Sequence, residues 1–404
     1  MRRGTHLAIF IYGLSGGGAQ RRTLTLAHAF AARGHRVDLV VIRSEGPLLH
    51  EVSPLVRLVA LDSRPSRLPD WLNRRSLRVA ANIGALAAYL RRERPDILLS
   101  AASHVNLAAL WARRLSRVPV PLVVRASNHL SRSSFTTERP PRLLGWWLAR
   151  ACYPWADAVI AVSDGVAEDI ARLTKMPRER ITTIYNPTVT EEMKAMARAP
   201  LDHPWLVPGA PPVILGAGRF VAQKDFPTLL RAFARVRAVR PARLVILGEG
   251  KKRRRLEALA RKLRVAEDLA LPGYVDNAPA WMGRASIFVL SSAWEGLPGV
   301  LIEAMACGCP VASTDCPSGP SEILDHGAYG PLVPVGDEGA MARAILSVLG
   351  DPPEPSTLRA RAAEFSVDRA ADRYLEVLLG IIEKSKRQGA EAAFSRAGGG
   401  AGDA

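Results

Sequence analysis

Residues 287–314 read IFVLSSAWEGLPGVLIEAMACGCPVAST. The stretch opens on an apolar run, Ile287–Ser291, and bends through Gly296, Pro298 and Gly299. It continues as a helical pattern over Val300–Ala306 and returns to a second apolar run, Pro310–Ser313. A short apolar run bounded by turn residues is how a strand buried on both faces reads, and two of them joined by a helix make a parallel β-α-β unit. That unit predicts a doubly wound α/β domain.

The same alternation extends outward. Upstream come strands at Val213–Leu215 and Leu244–Leu247, with helical patterns at Thr228–Val239 and Leu256–Leu263. The first half repeats the scheme: strands at Leu7–Leu14, Val37–Ile42, Ile97–Ala101, Leu122–Val124 and Ala158–Val162, with helices at Ala19–Arg33, Leu77–Arg94 and Val105–Arg114. Between the halves the pattern fails at Pro187, and prolines gather at 204, 208, 211 and 212. Such a cluster marks a domain boundary. The expected layout is a first Rossmann-like domain over 1–188, a second over 189–366, a C-terminal helix over 367–386 and a disordered tail over 387–404. Ligands of such sheets bind at the carboxyl ends of the strands, and facing domains make a cleft.

The 404 residues suit two domains, and 48% hydrophobic content gives each a core. The formal net charge of +17, from 55 Lys and Arg against 38 Asp and Glu, favours anionic partners. Arg2-Arg3 before the first apolar run imitates a signal peptide, but Gly16-Gly17-Gly18 and a long helical pattern follow it, so the run reads as a strand. No apolar run is long enough to span a bilayer, so membrane contact would be peripheral. The four cysteines, 152, 307, 309 and 316, lack the spacing of a zinc set and read as buried residues in a reducing compartment. Neither a dinucleotide fingerprint nor a Walker A lysine is present, which argues against a dehydrogenase or a P-loop enzyme.

The chemistry gathers in Glu295-Gly-Leu-Pro-Gly-Val-Leu-Ile-Glu303. Gly296, Leu297, Pro298 and Gly299 form a tight turn that lets a ligand approach the backbone. The N–H groups of Gly299, Val300 and Leu301 would be free at a helix start, a phosphate site. Two carboxylates bracketing an anion site suit a ligand with both hydroxyls and phosphates. A second segment, Gly216-Ala-Gly-Arg219-Phe-Val-Ala-Gln-Lys224, follows a strand and offers two cations. Arg219 and Lys224 could offset charge that develops on a leaving diphosphate.

In these segments the chain resembles the retaining glycosyltransferases of family GT4, with their Glu-x7-Glu signature. The likeness continues through Pro310–Asp315 and Gly319-Pro320-Ser321-Glu322-Ile323. The resemblance implies the GT-B architecture of two Rossmann-like domains across a cleft, and a C-terminal helix, Asp368–Glu383, that crosses back to the first domain. It implies a nucleotide-sugar donor, with Glu303 on the ribose, Glu295 on the donor sugar, and Arg219 and Lys224 on the diphosphate. Glycine-rich loops at Gly17-Gly18 and Gly248-Glu249-Gly250 would admit the donor. Many family members carry a catalytic His after the strand matching Leu122–Val124. Here that count falls on Ser127, with His129 two residues on, and His104 is a second candidate. No Asp-x-Asp occurs, so no metal and no cofactor is expected. The remaining expectations are a cytoplasmic enzyme of polysaccharide, lipopolysaccharide or glycolipid assembly, a lipid-linked acceptor, and peripheral contact with anionic membrane. The alternatives are a nucleotide-sugar epimerase of the same fold and a basic nucleic-acid-binding protein, although no nucleic-acid motif accompanies the charge.

Overall fold

The computed structural model of the chain describes residues 4–61, 75–132 and 142–398. It divides into two compact units: Met1–Val162, Val166–Pro187 and Asp368–Ala404 form the first, and Ser163–Gly165 with Thr188–Val367 the second.

The first unit holds a seven-stranded parallel sheet of β1 (His6–Gly13), β2 (Arg36–Arg43), β3 (Val56–Ala60), β4 (Ile97–Ser100), β5 (Leu122–Ala126), β6 (Ala158–Ala161) and β7 (Ile181–Thr183). Its order is β3-β2-β1-β4-β5-β6-β7. Among the described residues, six helices lie between the strands: α1 (Gly18–Ala32), α2 (Arg75–Ala81), α3 (Ile83–Glu93), α4 (Ser103–Ser116), α5 (Arg142–Cys152) and α6 (Asp164–Thr174). Residues 77–94, expected as one helix, are interrupted at Asn82, whose side-chain amide donates to the Arg78 carbonyl at 2.8 Å. A side chain that bonds the local backbone competes with the helical ladder.

The second unit repeats the design with β8 (Val213–Ala217), β9 (Arg243–Leu247), β10 (Leu269–Gly273), β11 (Ile287–Leu290), β12 (Val311–Thr314) and β13 (Leu332–Val333), ordered β10-β9-β8-β11-β12-β13. Its helices are α7 (Glu191–Arg198), α8 (Phe226–Val239), α9 (Arg253–Lys262), α10 (Ala278–Met282), α11 (Gly299–Ala306), α12 (Pro320–Ile323), α13 (Glu338–Gly350) and α14 (Pro355–Ala362). Leu229, Leu230 and Phe233 of α8 and Ile345 of α13 are fully buried in a core that includes Ile214, Leu244 and Ile287 of the strands. The strands β10 and β13 passed unseen in the sequence because β10 is only half-buried and contains Pro272, and β13 is two residues long.

The last helix, α15 (Val367–Gly398), belongs to the first unit from Asp368 onward. Tyr374 is fully buried with its ring 6.4 Å from Phe30 of α1. Arg33 donates to Asp368 and Asp372 at 2.9 and 3.0 Å, and Lys386 pairs with Asp96 at 3.2 Å. The tail expected to be disordered from 387 is helical through Gly398. The segment QGAEAAFSRA carries five strong helix formers among its Ala and Glu residues and only one Gly, so propensity favours continuation of a helix already nucleated upstream.

Candidate functional site

In an open parallel sheet a crevice forms where neighbouring strands send their connections to opposite faces. In the second unit that point lies between β8 and β11, which are hydrogen-bonded neighbours. The loop after β8 carries Arg219 and Lys224; the loop after β11 carries Glu295. The two loops meet there.

Lys224 Nζ donates to Glu295 Oε1 at 2.7 Å, and both side chains are largely buried. Ser292 Oγ donates to the same oxygen at 2.7 Å. Gln223 Nε2 reaches Glu295 Oε2 at 3.4 Å and the Trp294 carbonyl at 3.0 Å. The backbone fixes the loop as well: the Glu295 N–H donates to the Pro317 carbonyl, and the Ser318 N–H to the Glu295 carbonyl. The loop after β8 is held by Ser291 Oγ on the Lys224 carbonyl at 2.8 Å. Glu295 and Lys224 are thus placed before any ligand arrives. Arg219 is exposed and makes no side-chain bond or ion pair among the described residues, leaving a cation directed to solvent.

Glycines let these loops approach each other. Gly248, at the end of β9, has φ +125°, and a Cβ there would lie 2.1 Å from the Gly218 carbonyl oxygen. Gly218 has φ +150°, and a Cβ would meet Lys224 Cε at 2.9 Å. No L-side chain fits either position. The Phe220 N–H donates to the Glu249 carbonyl at 2.8 Å, tying the two loops, and Gly250 is the exposed residue that follows.

Helix α11 begins at Gly299, with Pro298 as its N-cap and Gly296 and Leu297 buried before it. The expected trio of free N–H groups is reduced by one: Leu301 donates to the Pro298 carbonyl at 3.1 Å. The tight turn at Pro298 closes a three-residue bond on itself, and only the Gly299 and Val300 N–H groups lack a partner among the described residues. Glu303 is half-buried one turn along α11, and its charge reaches Cys307 four residues on. Burial, then Glu303, push that thiol up to about 12 despite Arg359 nearby. Cys152, Cys309 and Cys316 are buried too, and burial raises all three thiols.

The first-unit candidates are placed differently. Gly17 is the N-cap of α1 and Gly18 its first residue, both exposed, and the Gly17 N–H donates to Gln20 Oε1 at 3.0 Å. His104 lies in the first turn of α4, after β4, and its side chain is outside the described residues. His129 follows β5, one strand from the β1–β4 switch point. It is buried, with Nδ1 3.7 Å from Asp169 Oδ1. Asp169, on α6, also accepts from the Ser131 N–H at 3.0 Å and from Arg172 at 2.8 Å. Burial pushes the Asp169 carboxyl up, but hydrogen bonds from His129, Ser131 and Arg172 outweigh it and hold the group well below the usual carboxylate range. His129 is therefore tied into a loop anchor.

Ser292, Gln223 and Asp169 escaped the sequence reading. Ser292 carried a faint signal, as a hydroxyl at the end of a buried strand three residues before Glu295. Arg125 was also missed: it is fully buried in β5, donating to Thr23 Oγ1 at 3.0 Å and Asn186 Oδ1 at 2.6 Å, both neutral.

Comparisons with known proteins give the family and the fold. Residues 16–192 match the model described as Glycosyltransferase Family 4, and residues 211–351 that of Glycosyl transferases group 1. The lipopolysaccharide core biosynthesis glycosyltransferase LpsE of Rhizobium meliloti is 32% identical over 71% of this chain and 77% of its own length. From Campylobacter jejuni, N-acetylgalactosamine-N,N'-diacetylbacillosaminyl-diphospho-undecaprenol 4-alpha-N-acetylgalactosaminyltransferase is 28% identical over 93% of this chain and 99% of its own. Among solved structures, Anabaena HepE in complex with UDP superposes with a TM-score of 0.73 at 19% identity, covering 93% of this chain and 100% of that one. That likeness shows the GT-B fold. LpsE and the Campylobacter enzyme are sugar-transferring enzymes, neither epimerases nor nucleic-acid-binding proteins. The chain is a glycosyltransferase of GT-B fold and belongs to glycosyltransferase family 4.

Proposed function

We propose that this enzyme moves a sugar from a nucleotide-sugar donor to an acceptor with retention of anomeric configuration and without a metal ion, in polysaccharide, lipopolysaccharide or glycolipid assembly. The carrying observation is the contact of Lys224 with Glu295 at the switch point of the second unit, beside exposed Arg219 and the α11 N-terminus. In this reading Arg219, Lys224 and the Gly299 and Val300 N–H groups hold the diphosphate. Their charge offsets the negative charge that grows as the glycosidic bond breaks. Glu303 accepts from the ribose hydroxyls and Glu295 from the donor sugar, while Gly248 and Gly250 let the donor approach. Gly17 and Gly18 keep the acceptor side open, and His104 is the first-unit candidate for the reaction, His129 being held by Asp169.

The acceptor is proposed to be lipid-linked, in line with the undecaprenol-diphosphate substrate in the name of the Campylobacter relative. The enzyme would then work in the cytoplasm, at the inner face of a membrane. No helix among the described residues is long and apolar enough to cross a bilayer, and the contact proposed is peripheral.

A thermal-shift panel of nucleotide sugars tests the donor. A ligand at one hundred times its Kd adds about 2.7 kcal/mol of stability. The identified donor is then used in a transfer assay with EDTA, and the anomeric configuration of the product is read by NMR. Stabilisation by no nucleotide sugar, an inverted product, or activity abolished by EDTA and restored by Mg²⁺ each contradicts a part of the proposal.

A further inference from the structure

Most large apolar side chains exposed on this protein stand singly, as Val207, Val239 and Tyr274 do. Isolated exposure of that kind is ordinary. One group is different. On α4, Trp111 and Leu115 lie one turn apart and are 46% and 54% exposed; on α5, Trp147 is 66% exposed. The two helices are in contact. The Trp111 ring meets Trp155, just past the end of α5, edge-on at 5.1 Å, and the Arg114 guanidinium lies over Trp155 at 4.2 Å.

The charges carried by the two helices have one sign. Neither α4 nor α5 contains an Asp or Glu. Arg113 is neutralised by Asp157 at 2.8 Å, whereas Arg114, Arg117 and Arg150 are exposed. The surroundings are also basic: residues 1–187 contain 28 Lys and Arg against 13 Asp and Glu, so nearly all of the net charge resides there. Exposed indoles flanked by arginines match the boundary of a bilayer. The ring sits at headgroup level, the aliphatic chain reaches the acyl region, and the guanidinium meets lipid phosphate.

We propose that the α4–α5 surface, with Trp147, Leu115 and Trp111 as apolar anchors and Arg114, Arg117 and Arg150 as phosphate contacts, is where this enzyme rests on an anionic bilayer. This gives a place to the membrane contact proposed above and rests on that reading. The charge favours an anionic surface over a neutral one, and nearby basic residues add to the binding until salt screens them.

The test is co-sedimentation of the full chain with phosphatidylglycerol vesicles and with phosphatidylcholine vesicles, at low and high salt. Binding to phosphatidylglycerol alone, weakened by salt, is expected. Trp147→Ser with Leu115→Ser removes two anchors without touching the Trp111–Trp155 contact, and binding should fall about tenfold or more. Arg150→Glu should reduce it about fivefold or more. Thermal melts check that the variants fold, and nucleotide-sugar binding is measured on the same samples. The inference is overturned if the parent binds neither vesicle, binds both equally, or if folded variants bind like the parent. It is also overturned if sedimentation velocity shows a dimer that Trp147→Ser dissociates, because the surface then serves a second copy. Vesicle binding without any nucleotide-sugar binding would leave this surface standing and remove the proposed transfer reaction. Donor binding without vesicle binding would do the reverse.

Discussion

The two sheets share one strand order around their first strands, yet their polar groups are used differently. In the second unit, the loops at the switch point bring a lysine and a glutamate into contact and leave Arg219 and two helix N–H groups directed outward. In the first unit, the glycines after β1 are exposed, and the polar groups nearby turn inward. Arg125 binds Thr23 and Asn186, and Asp169 gathers His129, Ser131 and Arg172. Preorganised charges at a crevice suit a ligand whose charge changes during reaction. Buried polar groups bonded within their own chain, as Asp169 is and as Arg125 is at all but its Nε, suit a scaffold. The contrast implies that donor chemistry depends on the second unit, and that substitutions among the buried groups of the first act through folding.

The most severe test of that contrast is Lys224→Ala. It deletes a cation and leaves the buried Glu295 without its ion pair, and Glu295 is only 7% exposed. Turnover is expected to fall about 10²–10³-fold, the loss typical for one electrostatic contact to a transition state. Stability should fall by about 3 kcal/mol, as when one partner of a buried pair is removed. A variant with near-parental turnover would show that the contact is structural only, and the two units would then be alike.

Next come the glutamates, which should respond in opposite directions. Glu303→Gln replaces a charged acceptor by a neutral one. A hydrogen bond to a charged group is worth about 1.5–3 kcal/mol, so affinity for the nucleoside diphosphate and for the nucleotide sugar should both drop about tenfold or more. Glu295→Gln instead removes a carboxylate that holds Lys224. The lysine is then free for phosphate and a like charge is gone, so the free diphosphate should bind as well as before or more tightly while turnover falls. Calorimetric titration of both variants, beside a transfer assay, separates them. Weaker diphosphate binding in Glu295→Gln would mean that the carboxylate positions Lys224 for the ligand. No change in either variant would reduce both residues to helix-flank charges.

A smaller effect is expected in the first unit. Asp169→Asn keeps the shape but weakens the hydrogen bonds to His129, Ser131 and Arg172. It should cost about 1.5–3 kcal/mol of stability, with diphosphate binding unchanged. Thermal melts and titration of one sample read both. If the variant is as stable as the parent yet loses turnover, His129 is serving the reaction through Asp169 and the scaffold reading of that loop is wrong.

How much of this was legible in the sequence follows the same division. The second-unit motifs could be read because each is local: Glu295 to Glu303 spans one loop and one helix, and Arg219 to Lys224 one loop. Their contact with each other spans 71 positions and becomes visible only when β8 and β11 are known to be neighbours. Leu301 was misjudged because the bond from its N–H to Pro298 depends on how tightly the turn closes. In the first unit the long-range partners of Asp169, Ser131 and nearby His129, lie on a loop, Ser131 being 38 residues upstream, and those of Arg125 lie 102 and 61 residues away. A lone Asp in a helix and a lone Arg in a strand give no periodicity or spacing from which such partners could be found. The continuation of α15 was missed for another reason: composition suggested a loose tail, while the upstream helix, packed by Tyr374, had already met the cost of nucleation.

The finest probe of the contrast is acid. Asp38 and Asp169 both belong to the first unit, and both are held well below the usual carboxylate range. For Asp38, burial pushes the carboxyl up, but hydrogen bonds from His6, Arg57 and Tyr89 outweigh that. A carboxyl with a depressed folded value binds fewer protons folded than unfolded. Its stabilisation is therefore full above the unfolded value, about 3.9, and is lost as pH falls from there toward the folded value. These two groups contribute no pH dependence between about 5 and 8. Below about pH 4 each withdraws its support from the first unit. Hydrogen exchange followed by mass spectrometry, from pH 5 down to pH 2.5 and corrected for intrinsic rates, should show β2, α3 and the loop after β5 losing protection before β8 and β11. Asp169→Asn should begin less protected at pH 5 and then change less on acidification, because the group that would have taken up the proton is gone. Equal acid slopes for parent and variant would mean that the unfolded chain holds Asp169 as low as the folded one does. Earlier opening of β8 and β11 would place the acid-sensitive contacts in the second unit.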